Sequence, residues 1–327
     1  MRITGLTIKR RTLRLIFLIS AIFLLVGVLS YLVFPFCTDG DQFFYRQFYS
    51  DVGSVSLPEA FVLSLRTISA AEPVYVLICW LASDYIPKDL LMSLSNGILA
   101  VTFLFAARKA GMRLWPAVFL IFTNFYFYVL YFGAERLKFS FIFLFLAYAL
   151  IDRPGLKRAS MFVLSVLAHL QSTLIAIPTV FYQHLQSTRA LRRWMYAGAL
   201  LAIFAVAAYF IQAQILSKLA AYSDRDRDPL GMLRLAPFVA LSLYFSKTRV
   251  PTALLYLPII AIASIVGPDR VVIFAYFIFL YIASRTDRNR NVAALIVLVL
   301  NLYFAVKGIG FLGNVFAHGD GFNNGDS

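Results

Sequence analysis

Three ionisable side chains stand in four consecutive positions of an otherwise apolar stretch. The segment Glu135-Arg136-Leu137-Lys138 interrupts residues 114–151, where almost every other residue is apolar or aromatic. One charge at the centre of a bilayer costs about 2.5 kcal/mol or more. We therefore expect this cluster either in a turn at the membrane surface, where its charges neutralise one another, or facing a wet internal site. Arg136 suits a phosphate or pyrophosphate, because its planar guanidinium donates two parallel hydrogen bonds.

Four further polar clusters interrupt the apolar sequence and carry groups that could bind a substrate or move a proton. They are Asp39-Gly40-Asp41 with Tyr45 and Tyr49, Glu72-Pro73-Val74-Tyr75, Ala168-His169-Leu170-Gln171-Ser172-Thr173, and Gly267-Pro268-Asp269-Arg270 with Tyr276.

The acidic and arginine clusters each have two interpretations. Asp41 has helical spacing to the two tyrosines, which is typical of a surface helix with interfacial aromatic side chains and also of a shared functional face. Glu72 precedes a helix start, where it either complements the helix dipole or faces a substrate at the membrane edge. Arg270 belongs either to a charged turn flanked by Gly and Pro or to a functional site. These alternatives stay open at this stage.

His169 is the side chain best suited to proton transfer near neutral pH. A histidine inside an apolar helix is commonly a packing residue. Here Gln171, Ser172 and Thr173 follow at once, which favours a polar pocket. A packing role and a catalytic role are both compatible with this pattern.

The bulk composition indicates an integral membrane protein. Of the 327 residues, 61% are hydrophobic and 14% are charged, against about 45–50% and about 25% in soluble proteins. The apolar runs are continuous, which predicts helices rather than a barrel. The net charge of +14 does not point to nucleic acid, because Lys and Arg collect in cytoplasmic loops of membrane proteins. We expect membrane lipid as a partner and no nucleic acid.

The apolar runs predict an all-α, polytopic membrane protein with about ten spans. One helical domain would cover residues 1–317, followed by a disordered tail over 318–327. Several runs are shorter than the ~20 residues of a normal crossing, which is typical of helices that line an internal cavity. The predicted spans are 14–36, 87–107, 114–133, 137–151, 159–181, 194–213, 232–246, 251–267, 270–284 and 291–307.

Basic loops predict the orientation of these spans. The basic N-terminus and the clusters at 108–113, 153–158 and 285–290 are assigned to the cytoplasm. Residues 37–84 then form an outer loop with amphipathic or re-entrant helices, broken at Glu72-Pro73. Glu135 to Lys138 lie on the same outer side. After Arg158 either one loop breaks the charge rule or the chain doubles back near His169.

The sequence contains no recognisable metal or nucleotide motif. Cys37 and Cys79 are the only cysteines, the three histidines are scattered, and no glycine-rich phosphate loop follows a strand. We therefore predict no metal, no cofactor and no nucleotide-binding domain.

The order and spacing of the five clusters resemble the EpsG/Wzy-type polysaccharide polymerases over about residues 14–300. Asp41 to Tyr45 matches a D-x-x-x-Y stretch, and Glu72-Pro73-Val74-Tyr75 is similar to an E-P-G-F-like motif with Val74 in place of Gly. Arg136 matches the arginine of R-Q-x-x-A, with Leu137 at the Gln position. His169 matches F-H-x-S, and Arg270 with Tyr276 resembles a C-terminal R…Y element.

This resemblance implies a GT-C-like, metal-independent transferase in the bacterial inner membrane, with its N-terminus in the cytoplasm. Such enzymes join oligosaccharide repeat units carried on undecaprenyl pyrophosphate at the outer face, and a chain-length regulator protein is an implied partner. On this hypothesis three cations bind the pyrophosphate: Arg136, Arg270 and Lys138. The candidates for the base are, in order, His169, Glu72 and Asp41. The side chains assigned to sugar are Tyr45, Tyr75 and Tyr276.

Three alternatives remain. A flippase or other transporter of lipid-linked sugars would use the same outer charges without chemistry, although such transporters usually show internal repeats and none is visible here. An O-antigen-ligase-like or acyl-transferring membrane enzyme is the second alternative, and a structural subunit of a biosynthetic complex is the third.

Overall fold

The computed structural model describes residues 10–70, 72–150, 155–185, 231–286 and 290–322. Every regular element in these ranges is helical, which confirms the all-α prediction at that level. The α-helices are α1 Arg10–Val33, α2 Asp41–Val52, α3 Leu57–Ile68, α4 Pro73–Ala82, α5 Lys88–Lys109, α6 Leu114–Thr123, α7 Phe125–Tyr128, α8 Glu135–Ala149, α9 Leu156–Ala168, α10 Thr173–Leu185, α11 Ala236–Phe245, α12 Arg249–Val266, α13 Val272–Arg285 and α14 Arg290–His318.

Three described segments are long and apolar enough to cross a membrane. They are Leu13–Phe36, Lys88–Lys109 and Asn291–His318, and the number rises to five if α3 with α4 and α6 with α7 each count as one bent span. The sequence predicts about ten. Four of the predicted spans form helices of 10 to 18 residues, namely α8, α11, α12 and α13. The predicted span 159–181 breaks at His169, and the predicted span 194–213 lies outside the described residues.

The chain divides into two compact units. The first comprises Met1–Leu170 with Leu300–Ser327, and the second comprises Gln171–Val299. The prediction that residues 1–317 act as one domain stays a prediction.

Helix α5 is the central helix of the first unit, where it packs against both α1 and α8. Close contact with α1 requires a small residue at position 97, because a Cβ on Gly97 would lie 2.7 Å from Cδ2 of Phe23. Helix α9 packs on the other side of α8. The first unit is therefore built as a layer of adjacent apolar helices.

The predicted span 114–133 is bent by 58° between α6 and α7. Asn124 caps α7 through its side-chain oxygen, which accepts from the backbone N–H of Tyr126 at 2.9 Å, and its amide donates to Asn301 at 2.9 Å. One π-helical turn, Val129–Gly133, then leads to a non-helical Ala134 and the start of α8. Such turns are rare and often lie at functional sites.

Several helix ends meet at one end of the first unit. The Lys88 ammonium, at the start of α5, lies 5.9 Å from the Phe34 ring centroid beyond α1 and 2.5 Å from Oε1 of Glu135 at the start of α8. His169, after α9, reaches Glu72 between α3 and α4. Loop charge predicts one side of the membrane for the segments of Glu72 and Glu135 and leaves the side of His169 open, and the compartment stays a prediction.

The end of α14 also reaches this region. The Gly319 carbonyl accepts hydrogen bonds from the backbone N–H groups of Thr38 at 3.1 Å and Asp39 at 3.2 Å. His318 is the last helical residue, and a turn continues to Phe322. The first part of the predicted disordered tail is therefore structured, while residues 323–327 lie outside the described residues.

In the second unit, α11, α12 and α13 pack around the buried Tyr256, whose hydroxyl lies 2.5 Å from Oγ of Ser242. An ion pair between Arg234 and Asp269 lies on its surface.

Candidate functional site

Arg136 and Glu72 form the centre of the site. Nη1 of Arg136 lies 3.0 Å from both carboxylate oxygens of Glu72, and Nε of Arg136 donates to the Tyr45 hydroxyl at 3.1 Å. The side chains of Arg136 and Glu72 are 14% and 13% exposed. Among the residues that the structure describes, none accepts a hydrogen bond from Nη2 of Arg136. Within the described part of the chain, one amino group with two N–H donors is therefore left for a ligand.

His169 approaches the same carboxylate. Its Nδ1 lies 3.1 Å from Oε1 of Glu72, and its side chain is 12% exposed. An ionised carboxylate only accepts hydrogen bonds, so Nδ1 of His169 is the donor of the hydrogen bond to Glu72. Glu72 thus orients the imidazole in the way a carboxylate orients a catalytic histidine.

Local backbone features place Glu72 and His169 at this point. Ser69 ends α3 in the left-handed region with φ of 51°, and the Ser64 hydroxyl donates to the Ala70 carbonyl at 2.5 Å. Glu72 then occupies the N-cap of α4, with Pro73 at the first position, as the sequence predicts, because Pro needs no hydrogen-bond partner there. His169 follows α9 in an extended conformation, which breaks the helix and turns the side chain toward Glu72.

Tyr45 forms one wall of the site. It lies on α2 with 3% exposure, and the Arg136 guanidinium lies 5.8 Å from its ring centroid. Burial raises the pKa of Tyr45 to about 12, although the Arg136 charge opposes the rise. The neutral phenol can therefore accept the Nε hydrogen bond while its ring supports the cation.

A second polar centre lies in the helix core directly beside the first. Lys88 donates to Oε1 of Glu135 at 2.5 Å and to Oε1 of Gln42 at 2.9 Å. The Tyr75 hydroxyl donates to the other Glu135 oxygen at 2.9 Å. Glu135 is 0% and Lys88 7% exposed, so this is a buried, hydrogen-bonded ion pair.

Lys138 belongs to this buried centre rather than to the exposed one. Its side chain is 0% exposed. The ammonium lies 3.5 Å from the Met92 carbonyl and 5.3 Å from the centroid of the Phe34 ring. Direct contact with a pyrophosphate, as the sequence hypothesis assigns it, would require the core of α1, α5 and α8 to open.

Other predicted site residues are placed differently from the sequence hypothesis. Asp41 is exposed at the first turn of α2, and among the described residues no hydrogen bond joins it to Glu72 or His169. Tyr75 is fully buried against Glu135, which leaves its ring no surface for a sugar. Tyr45 is likewise covered, and its hydroxyl accepts a hydrogen bond from Nε of Arg136.

Arg270 and Tyr276 belong to the second unit. Arg270 lies in the turn Pro268–Arg270, and its side chain lies outside the described part of the chain. Tyr276 is 1% exposed and packs edge-on against Phe238, with ring centroids 5.8 Å apart. Their predicted roles with pyrophosphate and sugar stay predictions.

Sequence reasoning missed Lys88 and Gln42. A sequence signal for Lys88 existed. It directly follows Pro87 at the start of α5, where the helix dipole disfavours a cation. A lysine in that position suggests an acidic partner. Gln42 carried no comparable signal, because its partner, the Phe132 carbonyl, is set by the π-helical turn.

Comparisons with known proteins do not assign a family. No family model matches the chain, and neither the curated proteins nor the solved structures give a significant match. The resemblance to EpsG/Wzy-type polymerases therefore stays a hypothesis, and the function is argued from the site itself.

The described site has the parts of a proton-transfer and anion-binding centre. Within the described ranges, no group of three or more His, Cys, Asp or Glu side chains is arranged to hold a metal ion. The imidazole can accept a proton, its carboxylate partner stabilises the resulting imidazolium, and the guanidinium can donate two further hydrogen bonds. Such an arrangement suits the activation of a hydroxyl next to an anionic leaving group.

Proposed function

We propose that this chain is a membrane glycosyltransferase that joins oligosaccharide repeat units carried on undecaprenyl pyrophosphate. It would act at the outer face of the bacterial inner membrane, with about ten crossings and a cytoplasmic N-terminus. The observation that carries the proposal is the bridging carboxylate of Glu72, which lies 3.0 Å from Arg136 and 3.1 Å from His169 at one end of the helical layer.

The reaction needs a base for the acceptor hydroxyl and positive charge for the leaving group. Nε2 of His169 would take the proton of the acceptor hydroxyl as its oxygen bonds to the anomeric carbon of the donor. The bond between that carbon and the pyrophosphate oxygen breaks, and the electron pair leaves with the pyrophosphate. Nη2 of Arg136 would donate to that anion, with Arg270 as the second predicted cation. Glu72 stabilises the imidazolium.

The arrangement also fits the position of the substrate. A polyprenyl pyrophosphate places its charge where lipid headgroups lie, and the site is formed by helix ends and by the short helices α2 to α4. Amphipathic α3 carries exposed Val62 and Leu65, which suit an interfacial helix. A lipid-linked donor would therefore reach Arg136 from the bilayer edge.

The test is complementation in a strain that lacks this chain. Arg136→Ala and His169→Ala should insert at normal levels and yield only single repeat units on the cell surface. Matched controls are Arg66→Ala and His318→Ala, which remove the same residue types at exposed positions. Long polymer from both site variants would overturn the assignment. Loss of all surface sugar, rather than of polymer length, would favour the flippase instead.

A further inference from the structure

Both sides of the start of α8 are held by one continuous set of hydrogen bonds. The Gln42 amide donates to the Phe132 carbonyl at 2.6 Å, and its oxygen accepts from Lys88, which in turn donates to Glu135. Phe132 and Glu135 stand on either side of Ala134, the non-helical residue between the π-helical turn and α8. The short segment before Arg136 is thereby fixed at two points.

The direction of Arg136 follows from that of Glu135. The two are consecutive residues in the first helical turn, so their side chains leave the axis about 100° apart. With Glu135 directed into the core toward Lys88 and Tyr75, Arg136 is directed toward Tyr45 and Glu72. A rotation of the first turn of α8 would move both side chains together.

An ion pair is a costly way to fill this core. Replacing a buried ion pair with apolar side chains is often neutral or stabilising, and ionic pairs are retained in some proteins for structural specificity. Lys88 also stands at the first position of α5, against the helix dipole. Stability alone therefore gives little reason for this pair.

We propose that Lys88 and Glu135 are positioning residues that aim the Arg136 guanidinium at its ligand. Gln42 extends the pair to the π-helical turn, and Tyr75 holds the second Glu135 oxygen. The activity part of the test rests on the proposed glycosyl transfer, whereas the placement of the first turn of α8 does not.

The decisive variant is the double apolar replacement Lys88→Met with Glu135→Leu. Hydrogen exchange of the amides from Lys138 to Phe141 should accelerate about tenfold in the full-length protein in detergent, the change that about 1.4 kcal/mol of local stability produces. The rate of polymer formation should fall about 10²-fold, as expected for a misplaced catalytic contact. Membrane insertion should be unchanged.

The charge swap Lys88→Glu with Glu135→Lys tests rescue. The swap keeps an ion pair between the two positions. Both residues are the first of their helices, so one favourable and one unfavourable interaction with a helix dipole remain after the swap. It should restore part of the slow exchange and part of the polymer, because a glutamate at position 88 cannot donate to Oε1 of Gln42. Asp89→Asn is the matched control, because Asp89 stands beside Lys88 and pairs with Arg46 at 2.9 Å, and no hydrogen bond or ion pair between described residues joins it to α8. This control should alter neither measurement.

The outcomes separate the two proposals. Normal exchange together with normal polymer in the double apolar variant would overturn the positioning role. Fast exchange with normal polymer in both this variant and Arg136→Ala would support the role of the pair in placing α8 and would overturn the assigned role of Arg136 in the proposed reaction. Polymer lost in Arg136→Ala alone, with unchanged exchange in the double variant, would support the function and reject the positioning pair.

Discussion

The carboxylates of Glu135 and Glu72 lie in neighbouring centres of one protein and have opposite surroundings. Glu135 is 0% exposed, and both of its oxygens are held by Lys88 and Tyr75. Glu72 is 13% exposed. Its cationic partner Arg136 keeps an amino group whose N–H donors have no acceptor among the described residues. The first centre is closed, whereas the second has hydrogen-bonding capacity left for a ligand.

The difference shows how one helix start can serve two purposes. Glu135 and Arg136 are adjacent, yet one faces the core and the other faces the loop helices. A charge buried among apolar helices is not by itself a sign of a binding site, because a buried ion pair can serve the structure alone. The remaining hydrogen-bonding capacity of its partners is the more useful criterion.

The largest expected effect is on the closed centre. Lys88→Met alone leaves the Glu135 carboxylate buried without its cation, which should lower the free energy of unfolding by about 3–5 kcal/mol. Adding Glu135→Leu should recover part of that loss, because it removes the unpaired charge but leaves the Tyr75 hydroxyl and Oε1 of Gln42 without their partners. Unfolding in detergent, followed by circular dichroism, measures both. If Lys88→Met were no less stable than Asp89→Asn, the closed centre would tolerate the loss of a charged side chain as well as the open centre does.

Replacing Arg136 should lower activity rather than stability. Arg136→Ala should reduce the rate of polymer formation by about 10²–10³, or about 2.7–4 kcal/mol in the barrier, if oxyanion-type sites are a guide. Arg136→Lys should recover only part, since a lysine that holds both Tyr45 and Glu72 keeps one N–H donor for a ligand, whereas the arginine keeps two. Polymer length on gels, normalised to protein level, is the measurement. Full activity of Arg136→Lys would show that charge alone suffices.

Tyr45 tests how firmly the open centre is held. Tyr45→Phe removes the acceptor for Nε of Arg136, and a hydrogen bond to a charged group is worth about 1.5–3 kcal/mol. We expect about a tenfold lower rate of polymer formation with little loss of folding. Tyr85→Phe is the control, because Tyr85 is 84% exposed. Equal rates for the two variants would place Tyr45 outside the site.

The smallest expected effect is at Asp41. Asp41→Asn changes an exposed residue with no hydrogen bond to the described site, so folding and activity should change by less than about 0.5 kcal/mol. A loss of polymer comparable to that of His169→Ala would restore Asp41 as a candidate base and extend the open centre to the start of α2.

Several features were predictable from the order of residues alone. The apolar runs indicate helices, and the three longest apolar segments appear where predicted, because hydropathy over about 20 residues is a property of local sequence. The start of α4 at Pro73 follows from a local backbone preference. Loop charge predicted that the segments of Glu72 and Arg136 lie on one side, and it left the side of His169 open.

The roles of the individual charges were decided only by tertiary structure. Arg136 and Lys138 are two residues apart and chemically alike, yet one reaches Glu72 and the other lies beneath Phe34. Which face of α8 is buried depends on the π-helical turn, on Gln42 and on the close packing of α5, and no local pattern encodes these. The sequence by itself determined that costly charges stand among apolar helices. Only the packing of α2, α4, α5 and α8 decided which charges neutralise each other and which remain available to a ligand, because pairing depends on distances between residues about 50 to 100 positions apart.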